Sequence, residues 1–317
     1  MPQTDTGQTI KAIINGTAVI LAIFAVSMLM PILGFFCSLL TPLPVLYYRI
    51  RLGRSTAVAV PMAALLLMGV VAGTLTLDLL FYFELLLLGF VLGDLLELNL
   101  PIEKTIGYAC GITMFTGLIG MWVFTQAFQA GIVELITVYV SKNLDLTLEL
   151  YRSMGMSEEN LHMISNSRDA IGYTLVRIIP ALCITSTIMI SWTNLLLVRP
   201  FFKSRNIVVP EFGLLTLWKA PDWMVWGVIG CGVSMLLPLN AMKIIGLNGL
   251  IILTAIYFLG GIAIVSFYFE KKRFPRILRA LLYSLIIFEQ IALFLVIGLG
   301  FFDIWLNFRK IQLHKYN

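Results

Sequence analysis

The chain is short of charge. Only 12% of its 317 residues are Asp, Glu, Lys or Arg, about half of the roughly 25% that a soluble domain carries. A water-soluble globular fold is therefore excluded. Histidine is scarcer still, with His162 and His314 the two in the chain, so no histidine-built metal site is expected. The four cysteines, Cys37, Cys110, Cys183 and Cys231, lie scattered in apolar runs without a CxxC pair, which argues against both a zinc site and a disulfide framework. They read as small buried hydrophobes. HExxH, GxSxG, P-loop and dinucleotide fingerprints are all missing, so motif chemistry predicts no enzyme, no metal and no cofactor. The first apolar run is too long, and too poor in leading positive charge, for a cleaved secretory signal, and the N-terminus is expected to be retained.

What the chain has in abundance is apolar length. Hydrophobic residues make up 59% of it. Runs near 20 residues recur, each long enough to cross a hydrocarbon core of roughly 30 Å at about 1.5 Å per residue. They fall at about 10–30, 32–48, 55–75, 76–98, 106–132, 168–198, 223–241, 246–268 and 279–301. The predicted fold is all-α, a polytopic membrane protein of about eight or nine transmembrane helices.

The net charge of +5 sits mostly in short loops, which is a membrane-orientation pattern and not a nucleic-acid footprint. Arg49, Arg51 and Arg54 follow the second run, Arg199, Lys203 and Arg205 the sixth, and Lys271, Lys272, Arg273, Arg276 and Arg279 the eighth. Placing all three loops in the cytoplasm requires an even number of crossings between them, and four and then two are counted. The N-terminus is then inside and the segment from about Gly131 to Asp169 outside. The basic tail, with Arg309, Lys310 and Lys315, disagrees with this odd span count. In the outer segment, "LELYRSMGMSEENLHMI" predicts a helix stopped at Gly155 and a second capped by Ser157 with Glu158 and Glu159 in its first turn.

Ionisable groups at membrane depth are expensive and point to function by default. Glu84, Arg177 and Glu289 are the three that stand out, and they are the candidate ligand-binding residues. Glu84 and Arg177 fall at similar depth, roughly 12 to 14 Å below the outer surface. Two readings stay open. The pair neutralises itself as a structural ion pair, or Arg177 holds an anionic group, or Glu84 a cationic one, of a ligand arriving from outside. Glu289 lies near the middle of the last run with no evident opposite partner. Asp78, Asp94 and Glu97 lie nearer span ends, where snorkelling or interfacial water satisfies them. Pro180, three residues after Arg177, predicts a kink in the sixth run.

Ala18 and Ala22, joined by Ala25, form a small-residue face on the first run that lets another helix approach closely. They are candidate partner-docking residues. So are Trp218 and Lys219 in "FGLLTLWKAPDWMVW", which reads as an interfacial helix followed by the entrance of the seventh span, with its tryptophans at headgroup level and Lys219 snorkelling toward anionic lipid.

Five stretches in register, "TPLPVLYYRIRLGR", "ELYRSMGMSEENL", "RIIPAL", "FGLLTLWKAPDWMVW" and "GFFDIWLNFRK", resemble the YybS-like family of uncharacterised bacterial membrane proteins. That family is distantly similar to the substrate-binding S components of energy-coupling-factor transporters. The resemblance implies a six-span S-component-like bundle over residues 1–200, followed by an interfacial helix and a three-span unit over 201–317. It also implies a bacterial cytoplasmic membrane location, an outward ligand pocket and a membrane partner docked on Ala18 and Ala22. The partners expected are therefore membrane lipid, a further membrane subunit and a small-molecule ligand. Three functions follow: a small-molecule-binding transporter subunit, a membrane scaffold or assembly factor without transport, and an intramembrane enzyme needing a water-accessible carboxylate pair.

Overall fold

The computed structural model describes residues 6–74, 76–203 and 214–309, with the side chains at 31–33, 35 and 203 left aside. Arg205, His314, Lys310 and Lys315, and the Phe212–Gly213 opening of the tryptophan-rich stretch, lie outside the described residues. The described chain is helical and forms two compact units, one from residues 1–136 with 186–212, the other from 137–185 with 213–317.

The first unit begins with α1 (Thr6–Leu29), α2 (Pro31–Ser38) and α3 (Pro42–Leu52). The apolar run at 32–48 was expected to cross as one span, and it does not. Pro31 and Pro42 each start a new helix, as proline without an N–H does at an N-terminus. Met30, ahead of Pro31, is driven to an extended conformation (φ −133°, ψ 88°), the restriction proline puts on its predecessor. Helices of 8 and 11 residues result, too short for a bilayer. α4 (Arg54–Ala57) and α5 (Ala59–Ala72) together make a span-length segment, followed by α6 (Leu77–Glu97) and α7 (Ile102–Phe128). Thr76 caps α6, its hydroxyl accepting the Leu79 N–H at 3.2 Å.

α3 lies against α6 because α6 presents glycine where α3 arrives. A methyl group on Gly89 would collide with the carbonyl oxygen of Pro42, and one on Gly93 with the Arg49 side chain. The pair is a GxxxG face. Closing the unit, Asn194 in α10 (Arg168–Lys203) donates at 3.0 Å to the Leu39 carbonyl exposed where α2 ends.

The second unit contains α8 (Ile132–Ser153), which enters it at Thr137, then α9 (Glu158–Asn166), the first half of α10, a 3-10 turn at Leu215–Leu217, α11 (Met224–Leu236), α12 (Asn240–Lys271), α13 (Arg276–Phe288) and α14 (Gln290–Leu306). The expected helix pair around Gly155 is present. Gly155 has φ 79° and Ser157 caps α9. Arg168 forks onto Asp145 with two 2.8 Å bonds, tying α10 to α8. The run at 223–241 yields only the 13 residues of α11, because Leu237, preceding Pro238, is forced to ψ 146°. The last run is also broken: α13 and α14 meet at 99° around Glu289. Among the described residues, six helical segments are long and apolar enough to cross a membrane, seven if the bent pair counts as one.

α12 and α14 approach each other closely in the second unit. Methyl groups on Gly261 and Gly300 would each meet a backbone carbonyl of the other helix, those of Val296 and Tyr257.

Candidate ligand-binding site

In the first unit, α5, α6 and α7 line an open apolar cavity of about 390 Å³, within the range of small-molecule pockets. Leu65, Leu80 and Phe83 line it, and Thr116 and Gly120 form part of the α7 wall. Thr116 connects this wall to Glu84. Its hydroxyl donates to Glu84 Oε2 at 2.9 Å, and the carbonyls of Ile112 and Thr113 stand at 3.0 Å as competing acceptors. Glu84 Oε1 is buried and has no hydrogen-bond partner. A carboxylate at membrane depth with one oxygen unsatisfied is a costly arrangement. It is chemically equipped to accept a hydrogen bond or to neutralise a cation.

Arg177 belongs to the second unit. Its Nη1 donates to the Tyr173 carbonyl at 3.0 Å, and its guanidinium lies 3.1 Å over the Tyr173 ring, so much of its capacity is spent within α10. At Pro180, where a kink is predicted, the helix does not end. α10 runs unbroken from Arg168 to Lys203, with the side chain of Asn248 in α12 inserted beside the proline. Asn248 Oδ1 accepts the Ala181 N–H and its Nδ2 donates to the Arg177 carbonyl, both at 3.0 Å. Glu289 is exposed at the corner between α13 and α14, and its acid stands at the start of α14, where the helix dipole favours it. Of the three candidate residues, Glu84 alone connects to the cavity, through Thr116, while its own side chain is not part of the lining.

Ala18 and Ala22 are exposed on α1, as is Ala25. The inner face of that helix is made instead by Ala12, Gly16, Thr17, Ile20 and Phe24. Trp218 is half-buried, and Lys219 forms a 2.8 Å ion pair with Asp222. Trp223 and Trp226 are 68% and 75% exposed.

Two charge clusters escaped the sequence reading. Arg49, assigned to a loop, is 1% exposed. It donates through Nε to Asp94 and through Nη1 and Nη2 to the two oxygens of Glu97 at 3.0 and 2.9 Å. Arg54 adds a 3.2 Å contact to Asp94. Asp94 and Glu97 are thus satisfied by protein and not by interfacial water alone. In the second unit Arg309 pairs with Asp303 at 2.6 Å, both almost fully buried. Its Nη1 also donates to the carbonyls of Thr216 and Trp218 at 3.0 and 2.8 Å. One basic residue of the tail is therefore a core element and carries no weight in the charge count that assigns membrane sides.

Long apolar helices, glycine-mediated helix contacts and buried, internally paired charge define a multi-pass helical membrane protein. The chain belongs to the family described as "Predicted membrane protein (DUF2232)", which matches residues 18–304 and so covers most of both units. No curated protein and no solved structure matches it.

Proposed function

We propose that this protein is a small-molecule-binding subunit of a transport system in a bacterial cytoplasmic membrane, and that the first unit holds the ligand. The observation that carries the reading is Glu84, whose Oε1 is buried without a partner while its Oε2 is fixed by Thr116 on the cavity wall. The complementary ligand is a small, largely apolar molecule bearing a hydrogen-bond donor or a positive charge. Binding is the role, not catalysis, since Glu84 stands there as a single acid. The distant resemblance to S components read from the sequence favours this proposal, with Ala18 and Ala22 on the exposed side of α1, where a membrane partner would dock.

The exposed alanine face equally favours a second reading, a scaffold whose function is helix docking alone. Mass spectrometry of material copurified with the full chain in mild detergent separates the two. A small molecule retained by the wild type and lost in E84Q and in T116V supports ligand binding. A protein partner with no small molecule, unaffected by E84Q and lost when Ala18 and Ala22 are replaced by leucine, supports the scaffold.

A further inference from the structure

α12 ends in a tightly specified turn. The Arg273 N–H donates to the Glu270 carbonyl and the Phe274 N–H to the Phe269 carbonyl, both at 3.0 Å, and the rings of Phe269 and Phe274 stack at 5.3 Å. This is the helix ending that places one residue in the left-handed region, ordinarily glycine. Here the residue is Arg273, at φ 52°. A glycine would adopt that conformation at no steric cost, so the fold of the turn does not account for a long cationic side chain there.

The turn is also clamped. Arg279 reaches back from α13 and donates to the carbonyls of Phe274 and Phe269 at 2.9 and 3.1 Å. Around this rigid base Lys271, Lys272, Arg273 and Arg276 are all exposed. None of the four has a carboxylate within ion-pair distance among the described residues.

α13 carries the second half of the pattern. One face is fastened to α12 by the 2.7 Å bond between Ser266 and Tyr283 and by Tyr283 against Phe269, and it buries Ile286. The other is a bare apolar stripe of Ile277, Leu281, Leu285 and Phe288, from 50% to 82% exposed. The helix is about 20 Å long and stands at 99° to α14. With the 17-residue α14 set along the bilayer normal, α13 lies in the membrane plane, with a basic end and an apolar underside, the arrangement of an interfacial amphipathic helix.

We infer that α13 and the turn before it form a seat for an anionic phospholipid surface. Ile277, Leu281, Leu285 and Phe288 enter the acyl boundary, while Lys271, Lys272, Arg273 and Arg276 hold headgroup phosphates. The occupant follows from charge complementarity, since exposed cations gathered beside an apolar underside meet both requirements only at a negatively charged leaflet. The inference is independent of Glu84 and its cavity.

The full chain in lipid nanodiscs provides the test. Wild type in mixed phosphatidylglycerol and phosphatidylcholine is expected to retain phosphatidylglycerol preferentially on extraction, read by native mass spectrometry. K271Q/K272Q/R273Q/R276Q is expected to lose the preference, by about fivefold in affinity per cation removed. R273G keeps the turn in its easiest conformation and is expected to fold while losing one such step, which holds the inference open to refutation if the quadruple variant fails to fold. Spin labels placed singly at 277, 281, 285 and 288 should report one common depth. Equal retention of both lipids, an unchanged preference in R273G, competition by inorganic phosphate alone, or depth rising steadily along α13 would each overturn the inference.

Discussion

Asn248 completes a helix to which it does not belong: its carboxamide bridges the Ala181 N–H and the Arg177 carbonyl of α10, at 3.0 Å each. In an uninterrupted α-helix these two groups bond to each other, four residues apart. Pro180 lies between them, and its ring pushes the preceding turn away. In a hydrocarbon setting the freed groups must find protein partners, and one amide supplies a donor and an acceptor together. The same Nδ2 bonds the Ile244 carbonyl at 2.8 Å, which anchors the side chain in its own helix.

Removing the amide should therefore cost more than a packing defect. N248A orphans a buried donor and acceptor, each worth about 1 to 3 kcal/mol, and should lower the unfolding midpoint in detergent. In a P180A background the rung can re-form and N248A should be much milder. Equal losses in both backgrounds would refute the splice.

The two glycine contacts of α6 should be unequal. G89A drives a methyl into the Pro42 carbonyl, which is backbone, whereas at Gly93 the obstacle is the side chain of Arg49. Gly107 of α7 has open space where its methyl would be, so G107A should stabilise by about 0.5 to 1 kcal/mol through helix propensity. Thermal unfolding of the three variants should rank G107A above wild type, then G93A, then G89A. A G89A protein as stable as wild type would show that α3 does not pack there.

Arg49 should resist replacement by lysine. Its planar fork serves Asp94 and Glu97 at once, a geometry that an ammonium does not reproduce. R49L leaves Asp94 with the exposed Arg54 as its remaining cation and should cost about 2 to 4 kcal/mol, that contact and the exposure of Glu97 moderating the loss. R49K should fall between R49L and wild type in denaturant titrations, and a neutral R49L would place the cluster among inert surface pairs.

At the other charge cluster, R309M should loosen more than its own position. The Thr216 and Trp218 carbonyls lose their donor, and Asp303 is left buried without its cation, at a cost of about 3 to 5 kcal/mol. Hydrogen exchange in the 214–219 segment should rise with it. Protection unchanged there would refute the tie.

Legibility in the sequence followed physical range. α1, α6, α7, α10 and α12 were visible because an unbroken apolar run of sufficient length leaves a helix as the one way to satisfy its backbone in lipid. The breaks at Pro31, Pro42 and Pro238 were written in the chain, but average hydropathy passes over a proline that stays apolar. The corner at Glu289 carries no proline or glycine, only a polar pair in an apolar run. Glu84 was found as an intramembrane acid, yet its partner Thr116 is 32 residues away and its cavity is made by three helices, neither of which a one-dimensional pattern encodes. The Gly89 and Gly93 spacing and the polar Asn248 passed unremarked in the sequence, because what gives them meaning lies on other helices. Arg49 was counted as a loop cation because composition does not distinguish a paired charge from a solvated one.

The pairing of Asp303 with Arg309 straddles the edge of the family match. The family match closes at residue 304, one residue past the acid and five short of the base. A chain cut at that border would keep a carboxylate sealed in its interior and discard the guanidinium that balances it, along with the clasp on Thr216 and Trp218. Its failure to fold would then say nothing about the helices, because the boundary of shared ancestry and the boundary of electrical neutrality are not the same line.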